Sequence, residues 1–230
     1  MKVVLIPLSR LKYAWRILWG GYLLAIAFIA VLLAVGCLLL PKLLLAPGFY
    51  HVKVVFIAIL PLLTIALSAA LFADDFSEGI FAHHYSYPYS QLLVFAERGS
   101  VVVLLLAIYE AMLLWAMDQW VIALSTAELA YIIKHSLSVN MFVGGLAAFG
   151  SLIGRNMAVG LGVGAGTWLL EYSMSGTSLH RYYLFQAVWP VSRFADPSHN
   201  AIALFVAAGI LLFGCLLLLK KGRGWLVRRP

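Results

Sequence analysis

The sequence predicts an all-α membrane protein of six transmembrane helices with both termini cytoplasmic, and three observations predict it. The first is composition: of 230 residues, 64% are apolar and only 11% charged, with a mean hydropathy of +0.99, far outside the soluble globular range. The second is spacing. Apolar stretches fall at 17–40, 52–73, 99–124, 138–153, 157–175 and 200–219, and a hydrocarbon core of about 30 Å needs roughly 20 such residues per helix. The fourth stretch is short and only Gly154-Arg155-Asn156 separates it from the fifth, but an unbroken 138–175 is too long to cross once. The third is charge. Six spans with both ends on one side put Lys2, Arg10, Lys12, Arg16, Arg98, Arg155, Lys220, Lys221, Arg223, Arg228 and Arg229 together. Lys42, Lys53, Lys134, Arg181 and Arg193 fall opposite. Eleven cations against five obey the positive-inside rule. Residues 1–230 then form one transmembrane domain.

Each element follows from local pattern. Ahead of span one, SRLKYAWRILWGGY sets Leu11, Trp15, Leu18 and Trp19 on one helical side and Arg10, Lys12 and Arg16 towards another, an interfacial amphipathic helix. The apolar run after it is too long for a signal-peptide core and no small-x-small cleavage site follows within a plausible distance, so it is expected to stay as the first span. PKLLLAPGFYH (41–51) makes a short external loop. Pro61 lies inside span two, removes a backbone donor and is expected to kink the helix. Ser90 suits an N-cap, and the apolar pattern from there to Leu124 predicts a helix of about 50 Å whose first turns stand in the cytoplasm. Residues 125–137 and 176–199 read as external connections, the second as interfacial or partly re-entrant. GLGVGAG (160–166) lacks the strand and the lysine of a phosphate loop. Gly160/Gly164 and Gly162/Gly166 are instead two small-xxx-small pairs for close helix packing. The tail KKGRGWLVRR reads as a lipid-headgroup anchor; no separate basic domain supports nucleic-acid binding.

The polar groups that remain are few. Residues 74–98, DDFSEGIFAHHYSYPYSQLLVFAER, hold four of the nine acidic residues and two of the six histidines. Taking such groups into hydrocarbon costs several kcal/mol each, which keeps the passage at the membrane surface, where a soluble partner can reach it. His83 and His84 point about 100° apart on a helix, so the pair alone does not chelate one ion, and no metal site is expected. Glu110 lies near the middle of span three, and an acid at that depth is a functional candidate by default; the other reading is a buried hydrogen bond to a neighbouring helix. Asp118 and Glu171 sit nearer the outer surface. Cys37 and Cys215 lie in apolar segments and offer neither a disulfide framework nor metal spacing. HExxH, CxxC and any Ser/His/Asp or Cys/His set at a shared depth are missing.

The same passage resembles the signature region of type-2 ABC-transporter permeases, the six-helix membrane subunits of bacterial exporters. In that family an acidic cluster precedes a Gly-Thr or similar pair, a Pro-aliphatic-Ser follows nine residues after the glycine, and a Lys or Arg about ten after the proline. Here stand Asp75, Glu78 and Gly79-Ile80, then Pro88-Tyr89-Ser90 nine residues after Gly79, and Arg98 ten after Pro88. Ile80 replaces the usual threonine, Tyr89 the aliphatic residue, and the aromatic HHYSYPY run is unusual. The resemblance implies a coupling helix over 74–87 that docks on a separate ATP-binding cassette subunit, with Phe81, His83, His84 and Tyr85 among its contacts. It also implies a second permease copy or a homologous permease as partner, location in a prokaryotic cell membrane, and no cofactor in this chain. ATP and Mg belong to the partner, since the chain has no Walker A lysine motif, so it is not expected to be an enzyme by itself. Two other classes stay open on the residues alone: an intramembrane enzyme using Glu110 or His83/His84, and a non-transporting membrane scaffold or sensor subunit.

Overall fold

The computed structural model describes residues 29–39, 48–73, 76, 91–174, 183–189 and 197–221. All regular structure among them is helical: α1 (Ile29–Leu39), α2 (Phe49–Phe72), α3 (Gln91–Trp120), α4 (Thr126–Gly154), α5 (Met157–Met174) and α6 (Pro197–Lys221). Four stretches are long and apolar enough to cross a membrane: Phe49–Phe72, Leu93–Trp120, Thr126–Gly154 and Pro197–Lys220. The protein is thus helical and membrane-spanning in character. α5, 18 residues long, is not among these four, and residues 17–28 and 40 of the expected first span lie outside the described residues.

α4 is the centre. Ser136 Oγ reaches Phe56 O, Thr64 Oγ1 reaches Asn140 Oδ1, and Ser151 Oγ reaches Ala69 O. Residue numbers climb together, so α2 and α4 run parallel. Gly145 against Leu211 and Gly214 against Phe149 set α6 parallel to α4. α5 runs antiparallel to both α4 and α2, with Gly160 against Ser151 and Trp168 Nε1 donating to Ala58 O at 2.7 Å. α3 is also antiparallel to α2, and Phe95 stacks on Phe72 with centroids 5.9 Å apart. The order of directions is that of a chain crossing back and forth.

Two expectations about boundaries change. Residues 126–137 are not a connection but the first turns of α4, which runs 29 residues without interruption. Ser125 caps it: its hydroxyl accepts from Glu128 N at 3.3 Å while Ser125 N donates to Glu128 Oε2 at 2.9 Å. That reciprocal pair is a capping box, and Glu128, Lys134 and His135 merely make the first turns less apolar than the rest. α3 stops at Trp120 rather than Leu124, because Asp118 Oδ1 accepts from Leu124 N at 2.8 Å and turns the chain. The break at 154–156 falls where the sequence puts it: Arg155 adopts φ 50°, a left-handed conformation that ends α4, and Asn156 Oδ1 accepts from Ala158 N at 2.8 Å to start α5.

Pro61 acts on register. Residues 54–59 of α2 form π-helical turns, with Leu60 N donating to Val55 O. In that register the next carbonyl, Phe56 O, would pair with the nitrogen of residue 61, and a proline has no proton to give. Ser136 Oγ supplies it from α4 at 3.0 Å. A backbone carbonyl freed within a membrane must find such a donor. Ser136→Ala is therefore expected to cost about 1–3 kcal/mol, the penalty for a buried unsatisfied acceptor. Pro61→Ala restores a backbone donor, so the double variant should recover most of that loss in a thermal-unfolding cycle in detergent. Simple additivity of the two changes would show that the serine does not stand in for the missing amide.

At the end where α2, α4 and α6 begin, residues 183–189 fold inward as a series of turns. Tyr183, Leu184, Phe185 and Gln186 are buried. Tyr131 Oη donates to Ala187 O at 3.1 Å, Asn200 Nδ2 to Tyr183 O at 2.6 Å, and Trp189 Nε1 to Tyr50 Oη at 2.6 Å. Around Phe185 pack Trp168, Tyr172 and Trp189, each edge-on within 6.4 Å. This is a rigid aromatic plug where the sequence suggests interfacial or partly re-entrant structure.

Candidate functional site

The helices do not close tightly everywhere. Between α2, α3 and α4 lies a cavity of about 290 Å³. Its walls are apolar for most of their length, with Leu71, Phe95, Val102 and Leu106 among them, and its polar groups include Thr64, Asn140 and Glu110. The cavity reaches from the start of α3 to a point two-thirds along it.

The local sequence explains why the polar groups converge. Thr64 and Ser68 are four apart on α2, Ser136 and Asn140 four apart on α4, so each pair shares a helical side. Parallel packing of α2 and α4 brings the two sides together, and Thr64 Oγ1 donates to Asn140 Oδ1 at 3.0 Å. Asn140 Nδ2 donates to Ser136 Oγ at 3.1 Å, and Ser136 in turn donates to Phe56 O. This is one directed chain of hydrogen bonds, and every member is buried. Gly144 follows on α4, where a Cβ would come within 2.9 Å of Ser68 Oγ. Glu110 arrives from α3 beside Ser136. Its Oε1 is buried and has no hydrogen-bond partner among the described residues.

A second arrangement sits at the opposite end of the cavity wall. Arg98, one of the residues singled out in the 74–98 passage, is buried. Its Nη1 donates to Leu71 O at 3.0 Å, in the last turn of α2, and its guanidinium lies 6.0 Å from the ring centre of Phe72. The guanidinium gives Leu71 O a charged hydrogen-bond donor from the neighbouring helix. Arg98 therefore pins the start of α3 to the end of α2. Asp75, Glu78, Gly79, Ile80, Phe81, His83, His84, Tyr85 and Pro88 lie outside the described residues.

Of the glycines, Gly160 and Gly164 face inward and Gly162 and Gly166 do not. A Cβ on Gly160 would meet Ser151 Oγ and come within 2.5 Å of Ala147 O; one on Gly164 would come within 2.8 Å of Ile65 Cγ2. Nothing lies within 4 Å of a Cβ on Gly162 or Gly166. No group of three or more metal-ligating side chains occurs among the described residues. What sequence reasoning missed is the Thr64–Asn140–Ser136 chain; the i, i+4 spacing of the polar pairs on two apolar helices was the signal available. Glu110 was visible as an acid at depth. No protein-family model, curated protein or solved structure matches the chain.

Proposed function

We propose that this chain is the membrane-spanning permease subunit of an ABC transporter, an exporter, driven by a separate ATP-binding subunit that docks on residues 74–87. In this reading it crosses a prokaryotic cell membrane six times with both termini in the cytoplasm, and works paired with a second permease copy or a homologue. ATP and Mg act in the partner subunit.

The observation that carries the reading is the junction at Arg98. The passage with the acidic, glycine and proline spacing lies between α2 and α3, and these two helices are clasped together by Arg98 on Leu71 O. α3 then continues as one helix of 30 residues, about 45 Å, along a cavity rather than against a close-packed neighbour. A push on the passage would enter a rigid lever that has room to move.

The test is at the docking segment. Phe81→Ala, Tyr85→Ala and Gly79→Val should leave a permease that inserts normally, but should weaken its association with the ATP-binding subunit that co-purifies from native membranes. Truncated interface anchors cost about 2 kcal/mol or more, roughly a thirtyfold loss in affinity, with a parallel loss of substrate-stimulated ATP hydrolysis. Reporter fusions after Arg155 and Pro230 should read cytoplasm, and those after Lys42 and Arg193 the outside. Full ATPase association in all three variants, or an external Arg155, would sink the assignment.

A further inference from the structure

The cavity is open on one side, and where it opens says what enters. Of its lining residues, Val103 is 50% and Leu137 42% exposed, so these two mark the mouth. Both lie well inside the spans Leu93–Trp120 and Thr126–Gly154. Near them along the same helices stand Leu104 and Ile108 of α3 and Ile133 of α4, all exposed and apolar. At this depth such a surface faces lipid tails, so the mouth opens sideways into hydrocarbon. Most polar groups of the lining are engaged within the protein. Thr64 donates to Asn140, Asn140 to Ser136, and Ser100 to Glu97 O in its own helix. Glu110 is hydrogen-bonded to Ser136, and its Oε1 is buried. Leu71, Phe95, Val103, Leu106 and Met141 offer an occupant only apolar contact.

We propose that this cavity is a binding site for one acyl chain of a bilayer phospholipid, drawn in between α3 and α4 from the leaflet where α2 ends and α3 begins. An empty space forfeits dispersion contacts along its walls. Water is a poor substitute, because it needs two to four polar partners and apolar cavities stay dry. A lipid tail is as apolar as leucine and stands at the mouth. Length and volume fit a single chain. From Phe95 to Glu110 the lining follows α3 for about 22 Å. Half of a hydrocarbon core of about 30 Å is about 15 Å, so the cavity covers one leaflet and its headgroup margin. At about 290 Å³ it is nearly twice the roughly 150 Å³ of an engineered apolar cavity that takes up benzene, room for one chain and not for a whole lipid. The face of α3 that borders it is slim: Gly99, Val103 and Ala107 fall four apart, and a Cβ on Gly99 would meet nothing within 4 Å. The site belongs to this chain alone and stands whether or not an ATP-binding subunit drives it.

The experiment uses the purified full chain in phosphatidylcholine nanodiscs, with no ATPase present. The probe is a phosphatidylcholine carrying a diazirine on one acyl chain, doped into the same discs. Illumination should leave adducts on Leu106 and Met141, which line the cavity, and on Ile210 and Phe213, which are exposed on α6. Ala107→Trp, which fills the cavity from α3, should lose the Met141 adduct and keep those on α6. Gly99→Trp should do the same from nearer the start of α3. Thermal melting in the nanodiscs confirms the fold of each variant. Hydroxyl-radical footprinting of the wild type separates lipid from water: Met141 should resist oxidation while Met174, exposed at the end of α5, becomes a sulfoxide. Where a tryptophan variant fails to fold, the wild type decides alone, an adduct on Met141 without its oxidation being the supporting result. Met141 oxidised as readily as Met174 would mean a water-filled cavity and overturns the proposal. Absence of a Met141 adduct, or its persistence in a folded tryptophan variant, overturns it too, since the lipid chain would then be missing or reach Met141 from outside.

Discussion

Gly160→Val is expected to destroy the packing of α4 against both α5 and α2, and to do so far more than the same change two residues on. A Cβ at Gly160 meets Ser151 Oγ and the Ala147 carbonyl, and backbone gives way less easily than the end of a side chain. Overpacking of this kind costs about 1–3 kcal/mol. Ser151 must then swing aside, and its hydroxyl is the donor to Ala69 O at 3.0 Å, so a buried acceptor in α2 is orphaned for about 1–3 kcal/mol more. Three helices are disturbed through one carbon. The expected readout is loss of the cooperative thermal transition in detergent and a drop in membrane level. Gly162→Val, where space is open, should stay within about 0.5 kcal/mol of wild type, as surface changes do. Equal melting of the two variants would show that α5 does not sit on α4 through Gly160.

That contrast also marks how far the sequence carries. The glycine spacing announces helix packing, but Gly160/Gly164 and Gly162/Gly166 lie about 200° apart on a helix, and periodicity alone does not say which pair meets a neighbour. Apolar run lengths locate most of α2, α5 and α6 closely, because hydrocarbon thickness is a hard constraint. They fail at the start of α4, where Glu128 and Lys134 interrupt the run although the helix continues. There Ser125 and Glu128 carry a legible capping signal that hydropathy outweighs. Pro61 is legible as a disturbance. Its remedy is not, because Ser136 lies far along the chain from Phe56 and the contact exists only once α2 and α4 pack in parallel. Glu110 stands out as a lone acid, while its place beside Ser136 and along the cavity is a property of three helices together. The acidic and aromatic residues from Asp75 to Pro88 fall outside the described residues, so the motif spacing remains the basis for their proposed role.

Arg98→Ala is expected to loosen the joint between α2 and α3. The side chain is buried, donates to Leu71 O at 3.0 Å and lies over Phe72. Hydrogen bonds from charged groups contribute about 1.5–3 kcal/mol. The alanine variant should therefore lose about 1.5–3 kcal/mol of stability. Amide exchange should rise selectively in the last turn of α2 and the first turns of α3, since the Ser151–Ala69 bond still holds α2 to α4. Arg98→Lys keeps the charge and one donor on a shorter, more flexible stem, and should recover part of the loss. The permease proposal adds a separate consequence. If the passage between α2 and α3 receives the push of an ATP-binding subunit, Arg98→Ala should still bind that subunit, yet move less substrate per ATP hydrolysed, because the force is spent in a slack joint before it reaches α3. Arg98→Lys should restore the ratio in step with the exchange protection. Unchanged exchange at the α2–α3 joint would overturn the structural role of Arg98. Lost protection with unchanged transport per ATP would instead show that the joint is structural and that motion enters the bilayer by another helix.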